Sequence, residues 1–551
     1  MRYRRLMRLM RMGFRIQTDA ECVPAFPNND KVGKVLNQDI LSSNSVSTVE
    51  TCKFAAASPL NYCESPRILK RVQQLMYEAI HMKNTDMPDK TLGLLRQEYL
   101  KLDWEGRSRA LLVLSTEFGI DNARVVNLMR HYLSLQPDDS KREIQKLEDS
   151  ERGVLAARYR TEHDLRSALV PLSSRLFEHM NGQVGGLKFL VDLRADLISV
   201  IKQQNLASLR ALDANLKGMF STWLGPACLE LHQITWEDSA SLLEKIVGYE
   251  ASHAHAVHPI SNLYDLKRRL GVGRRCYGYF HPAMPGEPLV FIEVALTKDM
   301  GASIQEVLFD EVPLPESEAT AALFYSISST QPGLKGIDLG NFLIKRVARL
   351  LQQEMSQLQV FTTLSPIPGF LKWLIPKLVS ACKSSNVNPS GNSVDDTAAS
   401  NVFKEELLHK SEERAILEVF GGDNKDANPL EILLRLLTSD QEWVKTEKLA
   451  DTVRPCLMRL CARYLLREKK RGKALDPVTN FHVRNGAIVE RLNWMGNRST
   501  KGLQESAGIM VNYLYRLEKV EEINQAYLNQ GEIRASPAVE EYLQPNYRAC
   551  I

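Results

Sequence analysis

The sequence predicts an α+β protein in which an N-terminal helical bundle is followed by an α/β domain. Two observations favour this class. Residues 66–226 place apolar side chains at helical spacing and contain few β-branched runs. After residue 226, short strand-like runs alternate with a glycine-rich turn and a helical segment, which is typical of an α/β arrangement.

Residues 1–65 are predicted to be a transit peptide and a flexible leader. The stretch "MRYRRLMRLMRMGFRIQ" holds six arginines and no acid, with apolar and basic residues interleaved at helical spacing. This pattern is typical of a mitochondrial transit peptide and predicts the mitochondrial matrix, although a disordered basic tail or a wrongly assigned start would look similar. Alternative starts would leave the protein in the cytoplasm. The C-terminal "YRACI" carries no recognisable peroxisomal signal.

The helical region opens at "SPRILKRVQQLMYEAIHM", where Ser65 is the expected N-cap and Pro66 occupies the first turn. Apolar stripes of this kind are expected to face a core or a subunit interface. The clearest stripe lies in "GLKFLVDLRADLISVIKQQ", whose members on one face are Leu190, Leu193, Leu197 and Ile201.

The second region contains three predicted strands, "GEPLVFIEVAL" (286–296), "AALFYSIS" (321–328) and "LQVFTTLS" (358–365). The helical segment "LGNFLIKRVARLLQQEM" lies between the last two. The polar, low-complexity segment 383–401 is predicted to be a flexible insertion, after which the pattern returns to helix.

Composition excludes several classes. A net charge of only +4 does not suggest a general nucleic-acid binder. The nine cysteines contain no Cys-x-x-Cys pair, which argues against a zinc ribbon and against a secreted disulfide scaffold, and fits a reducing compartment. No apolar stretch approaches the roughly 20 residues that a membrane span needs.

The glycine-rich stretch "SISSTQPGLKGIDLGNFLIKRV" (326–347) joins a predicted strand to a predicted helix. Gln331, Gly333, Gly336 and Gly340 would let the backbone approach a ligand, and free N–H groups at a helix start bind phosphate. The spacing is neither Gly-x-Gly-x-x-Gly nor a P-loop. It resembles the pyrophosphate-binding loop of GNAT-type acyltransferases, which hold coenzyme A, but a turn without a ligand would carry the same glycines.

Two further clusters of charged or histidine side chains are candidate sites. A basic cluster could hold the phosphates of coenzyme A or be a solvated turn, and it comprises Lys267, Arg268, Arg269, Arg274 and Arg275. The histidines of "HAHAVH" (253–258) have no neighbouring carboxylate or cysteine and fit no zinc spacing, so no metal site is predicted there.

Ser365 and His482 are candidate acid–base groups. Ser365 ends an apolar run and precedes Pro366 and Pro368, which should stop the strand and hold the hydroxyl rigidly. No Gly-x-Ser-x-Gly elbow surrounds it, so a hydrolase nucleophile is not indicated. His482 titrates near neutral pH and could carry a proton. The spacing alone does not show that the two side chains meet.

Several long motifs, in order, resemble the malonyl-CoA decarboxylase family from about residue 70 to 530. They are "HPAMPGEPLVFIEVALT", "FYSISSTQPGLKGIDLGNFLIKRV", "LSPIPGFLKWL", "PCLMRLCARYLL", "DPVTNFHVRNGA" and "NWMGNRSTKGLQESAGIMVNY". The resemblance implies a helical oligomerisation domain over 66–226 and a GNAT-like, acyl-CoA-binding catalytic domain over 227–545. It implies a homo-oligomer, a tetramer in this family. It also implies conversion of malonyl-CoA to acetyl-CoA and CO₂ with no metal or organic cofactor, a reaction that sets the malonyl-CoA level and so affects fatty acid synthesis and oxidation.

The same resemblance implies the site residues. Ser365 and His482 match the family's two catalytic positions. Ser365 would bond the leaving carboxylate and join a proton relay, and His482 would donate a proton to the carbanion or polarise the thioester. Ser326 would support the substrate loop, and Gln331 and Gly333 belong to it. The family's substrate-binding loop maps to Lys335, Gly336, Ile337, Asp338, Leu339, Gly340 and Asn341.

This chain departs from the family pattern by carrying Asp338 where members carry Glu, and Ser329 where members carry Leu. The shorter Asp338 side chain puts its hydrogen-bond reach in doubt. Two other functions fit the same residues less well: an acyl-CoA-dependent N-acetyltransferase, which would need an amine acceptor pocket, and an inactive oligomeric scaffold. Malonyl-CoA supplied alone would separate them, since only a decarboxylase releases CO₂ without an acceptor.

Overall fold

The structure is a computed structural model. It describes residues 65–81, 88–135, 149–251, 258–260, 262–310, 314–385, 407–420, 428–439 and 442–544. All of them lie in one compact unit, Asn61–Ile551. The predicted leader before Ser65 and the part of the predicted insertion after Ser385 lie outside the described residues.

The described residues of the first region form eight helices. The helix Gly186–Gln204, α7, starts after Gly185, and it ends where Asn205, in the left-handed conformation, donates its N–H to the Ile201 carbonyl. Of its predicted apolar face, Leu190, Leu193 and Leu197 are buried in the core, which Ile201 also contacts. The eight are α1 (Ser65–His81), α2 (Pro88–Lys101), α3 (Trp104–Thr116), α4 (Asn122–Ser134), α5 (Asp149–Ala168), α6 (Ser173–Asn181), α7 (Gly186–Gln204) and α8 (Ala207–Trp223).

The second region holds a mixed sheet covered by helices. Its strands are β1 (Glu230–Ile234), β2 (Arg274–Phe280), β3 (Val290–Thr297), β4 (Ala321–Ser329), β5 (Val360–Thr363), β6 (Ser365–Pro366), β9 (Ile488–Asn493) and β10 (Met510–Leu514), while β7 (Lys469–Lys470) and β8 (Lys473–Ala474) form a separate hairpin. The sheet order is β1-β2-β3-β4-β5-β10-β6, and β9 pairs with β10. The helices are α9 (Ala240–Ala251), α10 (Leu263–Arg269), α11 (Leu339–Glu354), α12 (Phe370–Ser385), α13 (Lys410–Phe420), α14 (Pro429–Thr438), α15 (Glu447–Leu466), α16 (Pro477–Arg484), α17 (Thr500–Ser506), α18 (Val520–Gln530) and α19 (Pro537–Glu540).

The predicted α+β class, with helices first and a mixed sheet after them, is confirmed. One hydrophobic core includes residues from the bundle helices and from the sheet, such as Leu190 of α7 and Ile292 of β3. The proposed domain boundary at residue 226 stays a prediction. None of the helices in the described ranges is long and apolar enough to cross a membrane.

The parallel pair β4–β5 decides where the site forms. The two strands pair only from Ala321 opposite Val360 to Phe324 opposite Thr363. Strand β4 then continues to Ser329. The segment after β5 instead turns at Leu364 and pairs, as β6, with β10. The strands therefore part, and a cleft opens between them. The sequence predicted one strand ending at Ser365, and this is wrong in detail: the run divides into β5 and β6, and pairing continues through Pro366, which lies opposite Met510.

Candidate active site

A pocket of about 1,050 Å³ occupies the cleft between the parted strands. Its walls come from β4, the loop before α11, the first turn of α11, β6 and α16, and also from α7 and α9. Of the predicted site residues, those that line it are Ser326, Gln331, Lys335, Gly336, Ile337, Asp338, Leu339, Gly340, Ser365 and His482. Two do not line it: Gly333 packs against the backbone of α7, and Asn341 lies one residue past the lining part of α11.

Ser365 and His482 meet in this pocket although 117 positions separate them. The Ser365 Oγ lies 3.2 Å from the His482 Nε2. Strand β6 fixes the serine through its pairing with β10. Helix α16 positions the histidine. Asp476 caps the N-terminus of this helix, because its side chain accepts hydrogen bonds from the N–H groups of Val478 and Thr479. We call this end of the pocket the dyad end.

Hydrogen bonds on both sides of the dyad set its polarity. The Ser365 hydroxyl donates to Thr363 Oγ1 at 2.9 Å, so the serine oxygen accepts from the imidazole N–H at Nε2. The other ring nitrogen, Nδ1, is then an acceptor, and the Tyr515 hydroxyl lies 2.8 Å from it. The chain of donors therefore runs from Tyr515 through His482 and Ser365 to Thr363.

The dyad end is buried and has little charge. His482 is 3% exposed, and its ring stacks on the Tyr513 ring with centroids 4.4 Å apart. Burial lowers the pKa of His482 to about 3, and burial is the only cause of the shift. The imidazole is therefore neutral at physiological pH. Burial likewise raises the pKa of Tyr515, so that the phenol keeps its proton as a hydrogen-bond donor.

The opposite end of the pocket is formed by residues 331–341, which we call the loop end. Gly336 has φ of +80°, a left-handed conformation that favours glycine. Asp338 is the N-cap of α11, and its side chain makes no capping hydrogen bond. It instead lies 3.4 Å from the Arg484 guanidinium of α16. The Leu339 N–H donates to the Ile337 carbonyl at 3.0 Å, and the Asp338 side chain leaves the N–H groups that follow it uncapped, an arrangement that favours an anion in the pocket.

Two predicted site residues, Gln331 of the loop and Ser326 of β4, are held by polar partners. The Gln331 amide donates to the Tyr249 hydroxyl at 3.1 Å and to Glu287 Oε2 at 3.4 Å. The Ser326 hydroxyl hydrogen-bonds the carboxylate of Glu293, its cross-strand partner in β3. Burial raises the pKa of Glu293, while the adjacent Arg269 opposes the rise. Both contacts hold lining side chains in place rather than adding charge to the pocket.

The predicted basic cluster does not line this pocket, so its interpretation as a phosphate site gains no support from the pocket. Arg269 is buried in ion pairs with Asp265 and Glu293, and Arg275 is paired with Glu316. Glu293 and Glu316 lie far from these arginines in the sequence, and Asp265 lies in α10 itself. The spacing of the basic residues does not predict these ion pairs. The cations that do line the pocket are Lys202 of α7, Lys245 of α9 and Lys335 of the loop.

Of the three clustered histidines, His253 and His255 lie outside the described residues. Burial lowers the pKa of His258 to about 3. Within the described ranges, no group of three or more His, Cys, Asp or Glu side chains is placed to hold a metal ion.

Comparison with known proteins places this geometry in context. A family model described as the malonyl-CoA decarboxylase C-terminal domain matches residues 227–550, and one described as the N-terminal domain matches residues 118–224. The mitochondrial malonyl-CoA decarboxylase of Rattus norvegicus is 41% identical over 443 residues, which are 79% of this chain and 82% of the relative. That of Anser anser anser is 40% identical over 438 residues, 79% of each chain. The crystal structure of malonyl-CoA decarboxylase from Rhodopseudomonas palustris superposes with a TM-score of 0.67 and 32% identity, covering 87% of this chain and 99% of that one.

Proposed function

The chain belongs to the malonyl-CoA decarboxylase family, and we propose that it converts malonyl-CoA to acetyl-CoA and CO₂ in the pocket between β4 and β6. The observation that carries this proposal is the contact between Ser365 and His482 inside a pocket that also reaches the first turn of α11. A thioester at the dyad end and phosphates at the loop end match the two halves of an acyl-CoA.

The loop end would bind the phosphates. The start of α11 and the glycines before it offer N–H groups, and Lys335 and Lys202 add positive charge. An anion at a helix N-terminus is stabilised by the helix dipole as well as by hydrogen bonds. The pantetheine arm would then extend along the pocket to the dyad.

The dyad end would lower the barrier with neutral donors. When the bond to the carboxylate breaks, its electron pair moves onto the thioester as an enolate, and CO₂ leaves. On substrate binding, the Nε2–H of the neutral His482 would turn from the Ser365 oxygen to the developing enolate oxygen and donate its hydrogen bond there, a role that needs no imidazolium. Ser365 would orient the departing carboxylate and then give its proton to the α-carbon, and the serine would regain a proton from solvent. The scarcity of charge around His482 also disfavours the carboxylate of the substrate, which disappears in the reaction.

A direct assay tests the proposal. The purified protein is incubated with malonyl-CoA and no acceptor, and CO₂ and acetyl-CoA are measured together. Release of both in equal amounts supports the proposal. An N-acetyltransferase would act only after an amine is added, and an inactive scaffold would do neither; each of these results would contradict it.

Localisation in the mitochondrial matrix is part of the proposal. It is supported by the arginine-rich, acid-free first 17 residues and by the word mitochondrial in the names of the relatives. A fusion of residues 1–65 to a fluorescent protein should enter mitochondria, and a fusion that stays in the cytoplasm would contradict this part.

Assembly into a homo-oligomer, a tetramer by resemblance, is likewise proposed. It is supported by the exposed apolar side chains on one face of α4, which are Val126, Met129 and Leu133. Light scattering on the eluting protein measures the mass directly, and a mass of about 62.4 kDa, that of a single chain, would contradict it.

A further inference from the structure

A buried arginine of the helical bundle contacts the backbone of the loop end. Arg194, in α7, is 2% exposed. Its Nη1 donates to the Gly333 carbonyl at 2.5 Å and its Nη2 donates to the Lys335 carbonyl at 3.1 Å. Its Nε donates to Asp213 of α8 at 2.8 Å. All three guanidinium nitrogens are therefore engaged, two of them by the loop.

The loop lies directly on α7 at this point. A β-carbon placed on Gly333 would lie only 1.8 Å from the Val191 carbonyl oxygen, so no side chain fits there. The glycine that the sequence suggested for ligand approach instead lets the loop approach the helix. Arg194 can reach both carbonyls only because of this close approach.

The contact fixes which way the peptide groups of the loop point. A trans peptide is planar, so the carbonyl of one residue and the N–H of the next point in opposite directions. Because the Lys335 carbonyl is turned toward Arg194, the N–H of Gly336 is turned away from it. Gly336 lines the pocket, and its φ of +80° belongs to the same local conformation.

We propose that Arg194 is a positioning residue for substrate binding: by holding the Lys335 carbonyl on the bundle side, it keeps the N–H of Gly336 facing the pocket for the phosphates of the acyl-CoA. The inference rests on the proposed function. Its physical basis is pre-organisation, since a loop already held in its binding conformation has less entropy to lose when the ligand arrives. Part of the phosphate site would therefore be built by the helical region.

The test compares two substrates. Malonyl-CoA carries the phosphates, whereas malonyl-N-acetylcysteamine has the same reacting thioester and lacks them. In Arg194→Gln we expect KM for malonyl-CoA to rise roughly 10- to 100-fold, the range of one charge-assisted hydrogen bond, with kcat within about threefold of wild type. The kcat/KM for malonyl-N-acetylcysteamine should not change. An equal loss with both substrates, or an unchanged KM for malonyl-CoA, would overturn the inference.

Two further variants keep the test sharp. Arg194→Lys retains the charge and the pairing with Asp213 but cannot reach both carbonyls, so it should also raise KM for malonyl-CoA. This variant replaces Arg194→Gln in the test if thermal unfolding shows that Arg194→Gln does not fold. Arg107→Gln is the matched control, because Arg107 pairs with Asp196 of the same helix at 3.3 Å and does not line the pocket. Its KM should equal that of wild type, and a rise as large as that of Arg194→Gln would overturn the inference.

The experiments distinguish failure of the proposed decarboxylase function from failure of the inference about Arg194. If the wild type released no CO₂ from either substrate, the decarboxylase proposal would fail. Calorimetric titration with coenzyme A would still test Arg194, whose replacement by Gln should weaken binding by the same factor. Equal affinity of the wild type and the variant would overturn the inference on its own.

Discussion

The two ends of the pocket use opposite chemistry. At the dyad end, Ser365 and His482 are buried and contact neutral partners, Thr363 and Tyr515. At the loop end, the pocket is lined by backbone at a helix start and by lysines. The difference follows from the reaction, because decarboxylation removes a charge from the acyl group while the phosphates keep theirs. A cation beside the acyl carboxylate would stabilise the substrate more than the transition state, whereas a cation beside the phosphates stabilises both equally.

The largest expected effect comes from removing the dyad. In Ser365→Ala and in His482→Asn, kcat should fall at least about 100-fold, the usual contribution of a positioned acid–base or polarising group. The affinity for coenzyme A should stay near that of wild type, because the loop end is untouched. Initial rates of CO₂ release and calorimetric titration with coenzyme A measure the two quantities. A variant with near-normal kcat would refute the role of the residue it changes.

The meeting of Ser365 and His482 illustrates what the sequence can supply. Resemblance to known motifs named both residues, but periodicity and spacing did not bring them together. Their contact depends on the pairing of β6 with β10, and β10 was not predicted because "MVNYL" is short and mixes apolar with polar residues. Tyr515 follows directly after that strand, so its contact with His482 could not be predicted from the sequence for the same reason.

The second prediction concerns the loop end. Gly336→Ala should raise KM for malonyl-CoA about 5- to 30-fold, because a non-glycine residue pays about 1–2 kcal/mol in the left-handed conformation, and kcat should change little. The matched control is Gly472→Ala, since Gly472 has φ of +77° in the β7–β8 hairpin and does not line the pocket. Steady-state kinetics of both variants decide the matter. An equal change in the two would show that strain alone, and not the loop, is responsible.

The cations of the loop end show the opposite limit of sequence reasoning. The basic run around Arg269 and Arg275 is a candidate phosphate site by sequence, yet carboxylates neutralise both of these arginines. Lys202 lies in α7, which the sequence assigned to packing and oligomerisation alone. A run of basic residues shows that positive charge is present. Whether carboxylates from elsewhere in the chain neutralise that charge depends on the fold. The glycines and the helix start of the loop were predictable because that signal is local.

A third prediction returns to the dyad end and tests its neutral donors. Tyr515→Phe removes the hydroxyl that lies 2.8 Å from His482 Nδ1, and kcat should fall roughly 5-fold, within the range of one neutral hydrogen bond. Tyr99→Phe is the control, because Tyr99 is an equally buried tyrosine whose hydroxyl contacts Asp196 in the bundle. Rates of CO₂ release in the two variants are compared. Loss of the same size in Tyr99→Phe would mean that the effect is one of stability.

Ionic strength should separate the ends without any mutation. Salt screens exposed charges, with a Debye length of about 10 Å at 0.1 M and about 3 Å at 1 M. Raising the salt concentration across this range should increase KM for malonyl-CoA roughly threefold, since we propose that the phosphates bind beside Lys202 and Lys335, which are exposed. The value of kcat should not change, because burial alone lowers the pKa of His482, with no contribution from a charged neighbour among the described residues. A fall in kcat as large as the rise in KM would contradict the division into a charged end and a neutral one.

The smallest expected effect is that of pH on kcat, and it sharpens the comparison most. His482 has a folded pKa of about 3, below its ordinary value of about 6.5, so it stays neutral and kcat should be constant between about pH 5.5 and pH 8. The effect of pH on stability is opposite to that of a histidine in an ion pair, because the free energy of unfolding here falls as the pH is lowered. Below pH 6.5 the unfolded chain binds a proton that the folded chain does not, and the free energy of unfolding falls by about 1.4 kcal/mol per pH unit from this residue.

His258 provides the control for this last prediction, because burial also lowers its pKa to about 3 and it does not line the pocket. Each of His482→Asn and His258→Asn should therefore remove one proton from the acid dependence of unfolding, measured by denaturant titration at several pH values. Only His482→Asn should lower kcat. A kcat in the wild type that changed tenfold between pH 6 and pH 7 would mean that the imidazole ionises during turnover, and the dyad end would then use the same charged chemistry as the loop end.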